Sequence, residues 1–373
     1  MPIDDNGVLI VNRFLQLHLL THYGPSNLNR DDSGRPKTVV MGGTPRLRVS
    51  SQSLKRAWRT SDVFAAAFGR PAGLGETGEG THLGTRTKRM GVEIYDTLLG
   101  AGLAEKLAQE CAASIAGRFG KLKKADAEKA RSGLEIEQLA HFSPEERQAI
   151  TDLLPRLITE KRAPTEAETA LLRQPRAAVD IALFGRMLAD SPAYNIEAAA
   201  QVAHAVAVHR CTIEDDYFTA VDDLNRHDED AGAGHVGEAE FGAAVFYLYL
   251  CVDRELLCEN LGGDRALTDR ALAALVEAAT KVAPTGKQNS FASRARASYA
   301  LLEKGDEQPR QLSVAFLKPV SGSDPLADAI DLLRATRAKM DQVYGPCAAA
   351  VAELDALAGT GNLAELQAFA AGD

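Results

Sequence analysis

Hydrophobic and polar positions divide the chain into strand-like stretches near both ends and a long helical excursion between them. In residues 11–22, Leu15, Leu17 and Leu19 alternate with Gln16 and His18, the period of a half-buried strand. The polar run LNRDDSGRPKT at 28–38 predicts a loop. Residues 42–59 then read as a Gly-Gly turn, a short strand bearing Arg46 and Arg48, and a helix capped by Ser50 or Ser51 whose apolar face is Leu54, Ala57 and Trp58. A glycine-rich stretch at 70–91 predicts a flexible connection. From Val92 to Arg173 the residues favour helix, with Ser143-Pro144-Glu145-Glu146 as a capping-box start and Thr165 with Glu168 repeating it. Strand patterns return at 179–185, 241–252, 298–302 and 311–320, and helical ones at 269–282 and 325–343. Residues 196–209 fit either, because Val202, His204, Val206 and Val208 alternate with alanines that favour helix. Strands on both sides of one helical insertion predict an α+β fold with long excursions.

Charge sharpens the picture at one place. From Ser33 to Ser61 there is no Asp or Glu, while Arg35, Lys37, Arg46, Arg48, Lys55, Arg56 and Arg59 are all cationic. Ser51, Lys55 and Arg59, spaced by four, line a face near the positive end of the helix dipole, and such an end with lysine and arginine suits phosphate. The alternative is a solvated amphipathic helix with incidental charge. A second acid-free zone, 278–302, carries Lys281, Lys287, Arg294 and Arg296.

The whole chain argues the other way: 42 Lys and Arg against 51 Asp and Glu give a net charge of −9 over 373 residues. A polyanion site here therefore needs segregated charge. The length implies two or more compact parts. Five scattered cysteines without a CxxC pair predict free thiols in a reducing cytoplasm, and the absence of a long apolar run predicts no membrane span. No GxGxxG or P-loop pattern follows a strand, and His18 with His22 lacks a third metal ligand.

The segment 213–237 is acidic and glycine-bounded. Asp222, Asp223, His227, Asp228 and His235 could supply metal ligands, but nothing rigid flanks them, so a projecting hairpin exposing Tyr217 and Phe218 fits better.

Several stretches taken together, in the same order along nearly the whole chain, resemble one family. LNRDD (28–32), GG (42–43), RVSSQSLKRAWR (48–59), VDIALFGRM (179–187), VAHAVAVH (202–209), DDYFTAVDDL (215–224), GAGHVG (232–237) and ENLGG (259–263) are similar to the CasC-type backbone subunit of the type I-E CRISPR Cascade complex. The resemblance implies a modified RRM, or ferredoxin-like, palm (1–60, 179–209 and 241–373), a helical fingers subdomain (61–178) and a thumb (210–240). Its function would be non-catalytic and would need no cofactor. Copies would stack head to tail along a guide CRISPR RNA. Each thumb would displace a base at intervals, and the target DNA strand would pair with the bases left exposed. Other Cascade subunits and a recruited helicase-nuclease would be further partners.

By position, the resemblance assigns Arg30, Lys37, Ser50, Ser51, Gln52, Lys55, Arg56 and Arg59 to the RNA-backbone surface, with Lys287 as a further basic contact. It assigns Met187 to packing against guide bases, and Phe218, Thr219 and Val236 to the thumb wedge. Tyr217 replaces a tryptophan common in such thumbs, Val236 stands where leucine is frequent, and 225–231 is longer and more acidic than the family pattern. Two rival readings remain: an endoribonuclease using Asp31, Asp32, Asp222 or Asp223, and an assembly protein whose basic strip meets acidic protein surfaces.

Overall fold

A computed structural model describes residues 12–71, 73–74, 80–126, 131–220 and 235–372, with residues 220, 235 and 236 described by backbone alone. The elements run β1 (Phe14–Ser26), β2 (Thr38–Met41), β3 (Thr44–Val49), α1 (Ser51–Arg59), α2 (Asp62–Phe68), β4 (Thr85–Thr87), α3 (Met90–Gly100) and α4 (Glu105–Ala116). They continue with β5 (Ala140–Phe142), α5 (Pro144–Glu160), α6 (Val179–Phe184), β6 (Ala200–Val202), β7 (Ala205–Ala207), β8 (Glu214–Ala220) and β9 (His235–Asp253). The last are α7 (Arg254–Asn260), α8 (Arg265–Lys281), α9 (Gln288–Phe291), β10 (Tyr299–Gly305), α10 (Pro325–Tyr344), β11 (Ala350–Asp355) and α11 (Leu363–Ala371).

The chain divides into two compact units, one of Met1–Ser61, Val202–Cys251 and Leu272–Asp373, the other of Asp62–Gln201 and Val252–Ala271. Residues 179–201, expected with the palm, thus group with the helical unit, as does the stretch 252–271. In the first unit the strands lie in the order β11-β10-β1-β9-β7-β3-β2, and β8 adds to β9. The pairs β1–β10, β10–β11, β2–β3, β3–β7, β7–β9 and β8–β9 are antiparallel.

The alternation in β1 means something other than a wet face. Gln16 and His18 are as buried as the leucines between them. They share a face with Leu20 and stand opposite Glu303, Leu301 and Tyr299 of β10. The core on this face joins Leu20, Tyr247, Tyr249, Tyr299 and Leu301 to Ala329, Ile330 and Leu333 of α10. Within it runs a polar chain. The Leu312 N–H donates to the Tyr247 hydroxyl at 3.1 Å, that hydroxyl lies 2.9 Å from His18 Nδ1, and His18 Nε2 lies 3.1 Å from Glu303. Glu303, fully buried, also accepts from Arg310 at 2.6 and 3.1 Å and from Arg337 at 2.6 Å. Burial opposes ionisation of Glu303, but the bonds from His18 and Arg310 outweigh it and hold the carboxyl below its usual range. Burial pushes His18 below its ordinary value despite the pull of Glu303.

The second unit packs α3, α4 and α5 over a core that includes Ile94, Leu98, Cys111, Ile115, Phe142, Ile150 and Leu157. Ser143 forms the expected capping box with Glu146. The Thr165–Glu168 box forms its bonds too, with Glu168 N–H donating to Thr165 Oγ1 at 3.3 Å, yet only a turn follows. Not all of 92–173 is helical: Ala140–Phe142 forms β5, which pairs antiparallel with β4 ahead of the stretch.

Two strand expectations fail. Residues 179–184 form α6, with Asp180 Oδ1 accepting from Ile181 N–H at 3.1 Å and from Gly84 N–H at 2.8 Å, and Gly185 at φ 80° ends the helix. A six-residue run with five apolar positions suits a buried helix as well as a buried strand. Residues 311–320 form a short 3-10 turn at Ser313–Phe316 in place of a strand. There Leu312 and Phe316, four apart, are buried while Val314 and Leu317 are exposed. The ambiguous 196–209 stretch resolves to β6 and β7. None of the five cysteines forms a disulfide, and among the described residues no helix is long and apolar enough to cross a membrane.

Replacing Glu303 with glutamine leaves Arg310 and Arg337 without their buried carboxylate and should destabilise the chain by about 3 kcal/mol, read by denaturant unfolding. The unfolded chain takes up the His18 proton near pH 6.5 and the folded chain does so only at lower pH, so stability should fall as pH drops below about 6.5. Thermal unfolding from pH 8 to pH 5 checks this, and His18→Gln should flatten that limb.

Candidate nucleic-acid interface

The 42–59 stretch folds as its residues dictate. Gly42 and Gly43, at φ 59° and 74°, make the two-residue turn between β2 and β3, and a Cβ on Gly42 would overlap the Leu317 carbonyl oxygen. Ser50 rather than Ser51 caps α1, its Oγ accepting from the Ser53 N–H at 3.3 Å. Leu54, Ala57 and Trp58 are buried as expected.

The loop before it is held against the cap. Asn29 Oδ1 accepts from the Ser50 N–H at 2.9 Å. Asn27 Nδ2 donates to the Gly34 carbonyl at 3.0 Å and to the Glu240 carbonyl at 2.9 Å. Asp31 Oδ1 accepts from Ser33 N–H, Ser33 Oγ–H and Arg35 N–H at 2.9, 2.8 and 2.9 Å, and these bonds, the Ser33 hydroxyl first, lower its pKa. Arg35 donates from Nε to Glu240 at 2.6 Å, joining the loop to the base of the β9 arm.

Between this loop and α1 lies an open cleft of about 610 Å³, lined by residues 28–32 and 34, by Ser53, Arg56, Ala57 and Thr60, and by Thr285 and Gly286. Gly286 sits so close that a Cβ would overlap the Leu28 carbonyl oxygen, which pins the second basic zone to the first. Lys287 follows at φ 43°. Arg30, Arg56 and the neighbourhood of Lys287 are thus brought together. Lys55 is half-buried on a neighbouring stripe with Ser51 and Arg59, and burial lowers its pKa. Gln52 is exposed. Arg46 leaves the cationic set altogether: it is fully buried and donates to Thr44 Oγ1 at 2.9 Å and to the carbonyls of Ala207 and Phe316 at 3.0 and 3.1 Å.

The expected hairpin is present as β8 paired with the first half of β9, Thr219 opposite Val236 and Phe218 opposite Gly237. Tyr217 is 63% exposed and Phe218 44% exposed. The Phe218 ring covers Gly237, where any Cβ would overlap it. Asp222, Asp223, His227, Asp228 and the long 225–231 segment lie outside the described residues, as do the side chains of His235 and Val236. Among the described residues no group of three or more His, Cys, Asp or Glu side chains is placed to hold a metal ion. Met187 belongs to the other unit. It is 79% exposed between buried Arg186 and Leu188, and Arg186 is fixed by Glu146 at 2.8 Å, so the methionine stands on a rigid base.

Sequence reasoning passed over Asn27, Asn29 and Gly286. The first two are polar residues in a polar run, with no periodicity to mark them, and their partners are distant in sequence.

A family model described as CT1975-like protein matches residues 15–370. Among solved structures, a chain described as "CRISPR RNA-guided surveillance complex, pre-nicking" is 29% identical, with a TM-score of 0.80 over 96% of this chain and 99% of that one. A second, described as "CRISPR RNA-guided surveillance complex", is 25% identical, with a TM-score of 0.70 over 96% and 99%. No curated protein matches.

Asn29→Ala removes the acceptor of the Ser50 N–H. Amide exchange at Ser50 should accelerate at least tenfold while global stability changes by no more than about 1 kcal/mol; unchanged exchange would mean the loop is held without that bond.

Proposed function

The chain belongs to the CT1975-like protein family, and from that premise we propose that it is a guide-RNA-binding, non-catalytic backbone subunit of a CRISPR surveillance complex, of the CasC type found in Cascade. The observation that carries this reading is the convergence of the 28–34 loop, the capped basic helix α1 and the 285–287 loop on one polar cleft. Arg30, Arg56 and Lys287 would contact phosphates there, with the first-turn amides of α1 and the side chains of Ser50, Ser51, Gln52, Lys55 and Arg59 beside them. Contacts to phosphate and sugar position a strand without reading its bases, which suits a protein that must accept any guide and leave sequence to base pairing.

The sheet supports the palm part of the proposal. The neighbours β10-β1-β9-β7, with α1 following β1 and α8 joining β9 to β10, reproduce the strand order of a ferredoxin-like fold. The β8–β9 hairpin would be the thumb, its Tyr217 and Phe218 stacking on or displacing a base. Met187 would lie against guide bases. Copies of this chain would follow one another along the RNA in the cytoplasm, with other Cascade subunits, the target strand and a helicase-nuclease as further partners. Such head-to-tail stacking makes an open helical array.

The nuclease alternative loses support at Asp31, whose Oδ1 already accepts three hydrogen bonds from its own loop. Asp32 remains exposed at the cleft. Guide-bound protein incubated with magnesium and complementary RNA should release no fragments; fragments that vanish with Asp32→Ala would establish catalysis instead.

The binding reading is tested by Arg30→Ala/Arg56→Ala in the full chain. Affinity for single-stranded RNA should drop equally for unrelated sequences, and the slope of log K against log salt should shrink by about 1.4 for two lost phosphate contacts. An unchanged slope would reject the cleft as the RNA site.

A further inference from the structure

Lys37, which the resemblance assigns to the RNA-backbone surface, meets Arg48 and His204 on the sheet beyond the cleft, and neither of those two has a part in the function proposed above. The Arg48 N–H donates to the Lys37 carbonyl at 2.8 Å, continuing the β2–β3 ladder by one step past Thr38–Leu47. Lys37 and Arg48 therefore stand opposite each other across an antiparallel pair and share a face. On its other side Arg48 is opposite Val206 of β7, and His204, two residues before Val206, lies on that same face. Arg48 Nη1 donates to His204 Nδ1 at 2.8 Å, with its Nε 3.4 Å from the Thr38 carbonyl. His204 is exposed, and Lys37 and Arg48 are half-buried.

Like charges placed directly opposite on a sheet are destabilising. Among the described residues no carboxylate pairs with Lys37 or Arg48, and none occurs in the sequence from Ser33 to Ser61 to do so. The groups facing His204 are the Arg48 guanidinium on β3 and the Lys37 ammonium ahead of β2. Its basicity is lowered first by the partial loss of water where the ring lies against the sheet and then by these two charges. A neutral imidazole accepts from Arg48 and fixes the fork of the guanidinium. What the cluster lacks is an anion.

We propose that Arg48 and His204 complete, around Lys37, a second phosphate site, which holds a phosphodiester of the same single-stranded nucleic acid whose backbone lies in the cleft. It rests on the nucleic-acid reading, and it extends that reading from α1 onto the β2–β3 hairpin. Arg48 precedes the cap residue Ser50 by only two positions, so a strand passing the first turn of α1 reaches this face without leaving the protein. A carboxylate from a neighbouring protein would satisfy the same charges but has no such continuity with the helix end. A bound phosphate offsets the field of Lys37 and Arg48, so His204 gains a proton on binding. Nδ1–H then donates to the phosphate, and the guanidinium turns from the ring to the same anion.

The experiment is RNA binding by the full chain, as wild type and as Lys37→Ala, Arg48→Ala, His204→Gln and Arg30→Ala/Arg56→Ala, across salt and from pH 6 to pH 8. Circular dichroism serves as the folding control. Lys37→Ala and Arg48→Ala should each weaken binding roughly tenfold for every sequence and reduce the salt slope by about 0.7. Wild type should bind more tightly at pH 6 than at pH 8 and take up protons in calorimetry, and His204→Gln should remove that proton uptake while matching wild type at pH 8. The second site is refuted if these three variants bind as wild type does while the cleft variant is weakened. It is equally refuted if they alter only self-association. Absence of RNA binding by the wild type overturns the underlying reading and this inference with it.

Discussion

Residues 27–37 close on themselves through the Arg30–Pro36 bridge and a few backbone bonds, but the segment keeps its place against the helix because two asparagine side chains bond beyond it. Asn27 spans the Gly34 and Glu240 carbonyls, and Asn29 takes the N–H of the residue that caps α1. A buried polar backbone group without a partner is costly, so such amides are what allow an irregular segment to lie against a helix end. The cleft is the space left between them. Gly286 closes it from the far side by an approach that no side chain permits.

Charge is organised by the same packing. A chain with net charge −9 presents a cationic strip because several acids are consumed elsewhere: Glu303 by Arg310, Arg337 and His18, Glu146 by Arg186, and Asp180 by His141. Packing also removes a cation from the strip. Arg46 sits two residues from Arg48 on the same strand, yet it is enclosed and serves three neutral oxygens, whereas Arg48 reaches the surface. Net charge is a statement about the solvent-averaged whole, and a binding face depends on which charges remain in reach.

The elements legible in the sequence were those set by short-range chemistry. The strand at 14–26, the serine caps of α1 and α5, the long strand β9 and the helix at 325–344 all follow from period, cap and turn residues within a few positions. The failures at 179–185 and 311–320 are short stretches of mixed apolar and polar residues, too brief for their period to separate a helical turn from a strand. The candidate site was half legible. Arg30 and Arg56 could be named from charge and the family motif, but nothing in the sequence separates Arg46 from Arg48.

The sequence by itself determined most of the secondary units, the basic composition of 33–61 and the kinship with CRISPR surveillance subunits, because periodicity, capping and motif order are local and additive. Only the tertiary structure decided which groups meet: Gly42 with Leu317, Gly286 with Leu28, Asn29 with Ser50, and Arg48 with His204. These contacts join residues that chain order leaves 21 to 275 positions apart. Their partners are chosen by how strands align and how closely backbones can approach, and such constraints belong to the packed chain as a whole.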